Sequence, residues 1–338
     1  KFVNFYETGQ ELFEIMSGME QRMGVQSFFV MDENFLLHRK RALELLELMQ
    51  QHQKSWSLYV FSSGRVLQSY SMEQLLGLGV SWVWMGLEGE DSQYHEHKLR
   101  DVNTLEMVRE MQANGIRVLG SSIIGLENHT PENIDAVIDY AIKHDTDFHQ
   151  FMLYTPVPGT PLYEEHRNLG TLYEDMDEAD THGQFRFNFK HPHISRDQSG
   201  EILIRAFNRD FDVNGPSVMR IARTLLQGWL RHKNHPDARI RRRIHREAEG
   251  LSMAYSSALW ATEVYFREKK PQLASKAAVL REKFTREFGL TGKLVAPVGG
   301  ALVRMLMARE EKRLNSGWTY QPPLFVDRRN WELLPQPE

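Results

Sequence analysis

The sequence predicts an α/β fold: a parallel sheet with a helix ahead of each strand, then a mostly helical second half. Three observations carry this. Residues 1–154 contain five apolar runs of strand length, each preceded by a helical pattern. Each run gives way at once to polar or glycine-bearing residues. From Ser195 onward the strand-length runs stop and helical periodicity takes over.

Taken in order, Glu7 to Met23 reads as a helix. Thr8 is its N-cap, and Glu11 completes a capping box. Gln26 to Met31 reads as a buried strand, and Arg39 to Gln51 as a helix with Leu43, Leu45, Leu46 and Leu48. Trp56 to Phe61 is the next strand, and Ser71 opens a short helix to Leu78. Val80 to Met85 is a strand unusually rich in tryptophan. Asn103 to Asn114 is a helix closed by Gly115, a residue suited to the position after a helix end. Ile116 to Ile124 is a strand. Thr130 is the expected cap of a helix with Pro131 in its first turn, running to about His144. Phe148 to Leu153 ends the series.

Strands alternating with helices at this spacing imply parallel strands joined by right-handed crossovers. An open doubly wound sheet and a closed barrel both satisfy the pattern. No Gly-x-Gly-x-x-Gly turn follows the first strand, which weakens the dinucleotide-binding version, and no phosphate-binding Gly-x-x-x-x-Gly-Lys-Ser/Thr loop occurs.

Composition narrows the function. The 338 residues hold 41 basic and 45 acidic side chains, a net charge of −4, which argues against nucleic acid as a partner of the whole chain. Cysteine is absent, which excludes disulfides, a cysteine nucleophile and an iron–sulfur cluster held by the chain's own thiolates. Lys1 to Gln10 lacks the apolar core of a secretory leader, so a cytoplasmic location is expected, and the Asn128-His129-Thr130 sequon is discounted. No uninterrupted apolar run reaches the roughly 18–20 residues of a membrane helix. The best candidate, Leu251 to Phe266, carries Glu263.

The segments after the strands are Asp32-Glu33-Asn34-Phe35, Ser62-Ser63-Gly64-Arg65, Gly86-Leu87-Glu88-Gly89-Glu90, Gly125-Leu126-Glu127-Asn128 and Tyr154-Thr155-Pro156. In a parallel α/β sheet all of them reach one carboxyl edge, where such folds build their sites. Exposed loops are polar in any case. Carboxylates in several of these five segments tilt the reading toward a site. Asp32 or Asn34 can equally cap the following helix, and Arg65 can equally be a surface ion pair.

At these segments the chain resembles radical S-adenosylmethionine enzymes, most of all the branch with an N-terminal cobalamin-binding domain. The resemblance rests on Phe28 to Phe35, Met85-Gly86-Leu87-Glu88, Ile123 to Glu127, and Tyr154-Thr155-Pro156-Val157-Pro158-Gly159-Thr160-Pro161-Leu162-Tyr163, the last being the most specific. It covers about residues 1–175. It implies a partial, TIM-like (β/α)6 barrel whose first strand is missing here, followed by the helical extension. In the family the first strand ends in a Cys-x-x-x-Cys-x-x-Cys loop that binds a [4Fe–4S] cluster. That loop is not in this sequence and is expected upstream of Lys1 in a longer protein. The chain as given is therefore expected to bind no stoichiometric cluster and to be inactive alone.

The family's reaction is reductive cleavage of S-adenosylmethionine to a 5′-deoxyadenosyl radical for C–H functionalisation. Methylation of a lipid or secondary metabolite is one such outcome, with an electron donor protein as partner. By this resemblance Asp32, Glu33 or Asn34 would accept from the amino group of S-adenosylmethionine, and Arg65 would meet its carboxylate. Glu88 would hold the ribose hydroxyls. Ile123, Gly125, Tyr154 and Thr155 would flank the adenine. A role for cobalamin rests on the resemblance alone.

The expected division is a barrel over 1–175, an irregular linker over 176–195, a helical domain over 196–315 and an irregular tail over 316–338. The whole stretch 155–200 reads as irregular, including the acidic run Glu174 to Glu178. His191-x-His193, near His182, is a weak metal-chelating pattern with no third ligand at a recognisable spacing. Between Pro216 and Arg246 lie Arg220, Arg223, Arg231, Lys233, Arg239, Arg241, Arg242, Arg243 and Arg246 against the single acid Asp237. A solvated face, or one paired with acids elsewhere in the chain, is the plain reading. An anionic substrate, a partner or a membrane surface is the functional one. Two rival functions stand beside the radical enzyme. One is a cluster-free hydrolase or lyase using Asp32, Glu88 and Glu127 as acid–base groups. The other is a non-catalytic scaffold presenting the basic helical segment.

Overall fold

The computed structural model describes residues 6–87, 102–175 and 178–317. Five parallel strands lie in the order β1-β2-β3-β4-β5 and form a curled half-barrel. They are β1 (Ser27–Phe29), β2 (Ser57–Phe61), β3 (Val80–Gly86), β4 (Arg117–Ile124) and β5 (Phe148–Leu153). Sequential strands are neighbours throughout.

Helix α1 (Gly9–Met23) starts at the expected capping box. The Thr8 hydroxyl accepts from Glu11 N at 3.2 Å, and the Glu11 carboxylate accepts from Thr8 N at 3.0 Å. Helix α2 (Arg39–Gln51) buries Ala42, Leu45, Leu46 and Met49. A short α3 (Gly64–Leu67) follows β2, and α4 (Met72–Gly77) begins at a second capping box between Ser71 and Gln74. Helix α5 (Thr104–Ala113) is capped by Asn103, and α6 (Ile134–Ile142) precedes β5.

Three expectations are corrected here. The first strand is not buried: Phe29 and Met31 are 50% and 79% exposed, because β1 is an edge strand paired only with β2 among the described residues. Thr130 does not cap α6. Its amide donates to Asn133 Oδ1 in a preceding turn, and the helix starts four residues later than its position. The stretch 155–200 is not wholly irregular. It contains α7 (Pro161–Leu169), with Thr160 accepting from Tyr163 N, Pro161 at the first position and Gly170 at φ 66°. Those are the ordinary start and stop signals of a helix.

The second half is helical, as expected. It comprises α8 (Arg196–Asn214), α9 (Ser217–His232), α10 (Ala238–Ala248), a π-turn at Leu251–Tyr255, α11 (Ser256–Phe266), α12 (Pro271–Phe288) and α13 (Leu290–Asn315). Packing divides these helices. Ile202, Leu203 and Ala206 of α8 join the core of β4, β5 and α6. Helices α9, α11 and α12 make a further core through Leu225, Leu226, Leu259, Phe266, Ala277 and Phe284.

Arg220 of α9 and Arg239, Arg243 and Arg246 of α10 turn inward. Arg239 donates to the carbonyls of Lys54 and Gly77 at 3.3 and 3.2 Å, Arg243 to that of Val80 at 3.0 Å, and Arg246 to that of Ser55 at 2.6 Å. These carbonyls sit just before or at the start of β2 and β3, so the basic helix closes the amino edge of the sheet. Arg220 does the same at β5: it binds the Thr146 carbonyl at 2.8 Å and pairs with buried Asp210 at 2.8 Å.

Helix α13 departs from the sequence reading. It is 26 residues long with a mean hydropathy of 1.3 over its most apolar 18-residue window, so by length and composition it is able to cross a membrane, yet only 17% of that window is buried. Gly292, Lys293, Pro297 and Arg304 interrupt its apolar run without lowering the mean hydropathy enough to remove that capacity.

Candidate functional site at the carboxyl edge

The two faces of the sheet differ. Leu58, Val60, Val83, Met85 and Val118 point outward into the core shared with α2, α4 and α5. The alternate residues point the other way. There Phe29, Tyr59, Phe61, Trp82 and Trp84 form a continuous row: Phe29–Tyr59 at 4.6 Å, Tyr59–Trp82 at 5.7 Å, Phe29–Phe61 at 5.5 Å and Phe61–Trp84 at 4.9 Å between ring centres. Tyr59, Phe61, Trp82 and Trp84 are half-buried and Phe29 is exposed, so the row presents an aromatic surface on the inner face. Burial pushes the Tyr59 hydroxyl up to about 12, so it stays a neutral phenol. Leu119, Ser121, Ile123, Gln150 and Met152 continue the half-buried face along β4 and β5. The sequence signal was present in the period-two spacing of Tyr59 and Phe61, and of Trp82 and Trp84. Sequence analysis noted the tryptophans but not the face.

Above this face run the polar segments, in strand order along one edge. After β1, Asp32 is already committed: its carboxylate pairs with Arg41 at 2.8 Å and accepts from Asn34 N at 3.1 Å. Asn34 begins a single 3-10 turn without a side-chain cap bond, and its Oδ1 accepts from Ser62 Oγ at 3.2 Å. That contact ties the β1 segment to the β2 segment. Glu33 is exposed. Arg65, in α3, is exposed and forms no ion pair among the described residues. Leu87 N donates to the Ser121 carbonyl at 2.7 Å, joining the segments after β3 and β4. Glu88 lies outside the described residues.

After β4 and β5 the edge is walled. Tyr154 N donates to the Ile124 carbonyl at 2.8 Å, Leu153 N to the Gly183 carbonyl at 2.8 Å, and Thr155 Oγ1 to the Leu153 carbonyl at 2.9 Å. Residues 183–194 pass over this corner. The Phe187 ring lies directly on Gly125, whose φ is 75°. A Cβ there would overlap the ring, so only glycine fits both the backbone and the contact. Gly125 and Tyr154 are buried, while Ile123 and Thr155 stay half-buried. The predicted adenine-flanking group is therefore brought together, but Phe187 and Phe189 cover part of it. No local pattern announced this wall, because its contacts span tens of residues.

The histidines of the wall are structural. His191 Nδ1 accepts from the amides of His193 and Ile194 at 3.1 and 3.0 Å, which puts its proton on Nε2, facing the Leu126 carbonyl at 2.9 Å. Both ring nitrogens are used, so His191 is not free to chelate with His193. Burial holds His191 below the usual range. His129 Nδ1 likewise accepts from Gly125 N and Leu126 N, at 3.0 and 3.1 Å, and holds the β4 turn. Asp180 anchors the wall through Arg186 and Arg196. Burial raises its carboxyl, but the two guanidinium groups outweigh that and hold it low. Glu127 is exposed beside the His166 ring, at 3.8 Å. No group of three or more metal-ligating side chains occurs among the described residues.

No family model matches the chain. It is 27% identical over 158 residues to an uncharacterized methyltransferase of Pyrococcus horikoshii, covering 46% of this chain and 34% of that protein. It is 26% identical over 174 residues to the bacteriochlorophyllide d C-12(1)-methyltransferase of Chlorobaculum tepidum, covering 49% and 38%. It is 26% identical over 159 residues to the hopanoid C-2 methylase of Rhodopseudomonas palustris, covering 44% and 30%. The chain spans about a third of the length of these curated relatives. At low identity, and over about half of its own length, this chain is similar to proteins that transfer methyl groups.

Proposed function

We propose that this chain is the catalytic-barrel portion of a radical S-adenosylmethionine enzyme acting on a large, apolar, ring-bearing substrate. The observation that carries the reading is the half-exposed aromatic row lying directly beneath the edge that bears Glu33, Asn34 and Arg65. It supplies a flat apolar platform beside polar groups suited to an amino acid moiety. The bacteriochlorophyllide and hopanoid named in the relatives agree with a platform of this kind. A partial (β/α)6 barrel accounts for the five parallel strands, whose sheet ends at β1 and β5 among the described residues. The cytoplasm and an electron donor protein belong to the same reading.

The residues fit S-adenosylmethionine in part. Arg65, which forms no ion pair among the described residues, offers a cation for the carboxylate, and Glu33 an exposed acceptor for the amino group. Asp32 is held by Arg41 and serves better to position the loop. When bound and reductively cleaved, S-adenosylmethionine supplies a radical that abstracts hydrogen. The chain's own part is to orient it and to keep water from the aromatic face. A [4Fe–4S] cluster does not fit these residues, since they contain no cysteine. Its ligands, like any cobalamin site, belong to parts of a longer protein.

Calorimetric titration with S-adenosylmethionine tests the reading. Binding is expected, and Arg65→Ala is expected to weaken it by roughly tenfold, the loss of one charge-assisted contact. No binding by the folded chain, or binding indifferent to Arg65 and Glu33, refutes the assignment of this edge.

A further inference from the structure

We propose that α13 docks this protein on the surface of an anionic lipid bilayer, lying in the plane of the interface. Leu290, Leu294, Val298, Leu302 and Leu306 recur every fourth residue and form a ridge that winds about 160° around the helix, clear of the buried Gly292, Ala296 and Gly300. Each is more than half exposed, from 51% at Leu306 to 76% at Val298, and Met305 beside them is 61% exposed. At ~1.5 Å per residue the ridge runs on the order of 24 Å, far more apolar surface than scattered surface leucines give.

The opposite side of the helix is committed. A Cβ added at Gly292 would overlap the Ser252 carbonyl, and one at Gly300 the Trp260 ring. Small residues there let α13 lie close along the π-turn and α11. Helix α11 carries Glu263, which pairs with Arg281 of α12 at 2.6 Å. Carrying α13 across a bilayer would pull that ion pair toward hydrocarbon. The arrangement suits a helix resting in the headgroup region instead.

Charge selects the partner. The helix bears Lys293, Arg304, Arg309, Lys312 and Arg313 against Glu310 and Glu311. Glu310 is taken by Arg313, and Glu311 meets the Tyr265 hydroxyl. Arg309 continues the row of Met305 by one turn, which suits a side chain reaching up to phosphate from an immersed apolar face. A second copy of the chain fits less well. Packed parallel, the ridges would set the C-terminal cations of the two helices against each other. Packed antiparallel, they would set them against Lys293. The basic segment in α9 and α10 is not needed, since many of its guanidinium groups are bound to carbonyls and carboxylates within the fold.

The test is co-sedimentation of the 338-residue chain with vesicles of phosphatidylcholine alone, or of phosphatidylcholine with phosphatidylglycerol. Light scattering gives its mass in parallel. The chain is expected to sediment with the anionic vesicles and to partition at least about tenfold less to neutral ones. Leu294→Glu with Leu302→Glu, both at exposed positions, is expected to abolish sedimentation with an unchanged circular dichroism spectrum. Arg309→Gln with Lys312→Gln is expected to weaken it by about tenfold. Three results overturn the proposal: no sedimentation with anionic vesicles, equal binding to neutral ones, or binding that survives the leucine substitutions. A dimer that dissociates on those substitutions while ignoring vesicles assigns the ridge to a second copy instead.

Discussion

Replacing Gly125 by alanine probes the corner where the β4 edge meets its wall. Two costs are expected, and they separate. The backbone there has φ 75°, and an L-residue in that region costs about 1–2 kcal/mol. The new methyl would also overlap the Phe187 ring, and forcing a packed core apart costs about 1–3 kcal/mol more. Gly125→Ala is thus expected to destabilise by about 2–5 kcal/mol. Phe187→Leu alone is expected to cost about 1–2 kcal/mol for the apolar volume lost. In the double variant the overlap is relieved while the backbone cost stays, so it should be more stable than the sum of the single changes by about 1–3 kcal/mol. Urea denaturation of all four chains, read by circular dichroism, gives the cycle. Strict additivity would refute the claim that Phe187 seats on Gly125. A neutral Gly125→Ala would refute the backbone argument as well.

Two further predictions concern stability. Arg220→Met leaves Asp210 buried without its bidentate partner, at 2.8 and 3.2 Å, and is expected to cost about 3–5 kcal/mol. Adding Asp210→Leu should return part of that, and a single variant as stable as the parent overturns the assignment. Burial holds His149 down to about 3, with its ring between Thr146 and Ser122. The unfolded chain takes up that proton below roughly 6.5 and the folded chain does not until about 3. Its contribution is therefore complete above pH 6.5 and is lost as the pH falls through the window between the two values. Denaturation midpoints at pH 7.5 and 5 should show this fall, with a shallower slope in His149→Asn. An unchanged slope in that variant removes His149 from the account.

Much of the sheet was legible because its signals are local. The capping box at Thr8, Ser71 at the start of α4, Gly115 after α5 and the apolar runs over 56–61, 80–85 and 148–153 each depend on neighbours within a turn or a strand. Such signals also exist for α7, in Thr160, Pro161 and Gly170, but the helix between them is only nine residues long and lies among loop-forming residues. The burial of the first strand was misjudged because an edge is a property of the sheet, not of the six residues 26–31.

The sequence by itself determined the strand–helix alternation, the single edge that collects Asp32, Glu33, Asn34, Arg65, Ile123 and Thr155, and the absence of thiolates for a cluster. Only the tertiary structure decided which of these groups are free. It tied Asp32 to Arg41, set Phe187 over Gly125, turned Arg239, Arg243 and Arg246 of α10 onto strand-end carbonyls, and, among the described residues, left the leucines of α13 without cover. The physical reason is that capping and periodicity act over a few residues. Ion pairing, ring packing and burial join residues as far apart as Lys54 and Arg239, and their strength is set by the solvent they exclude.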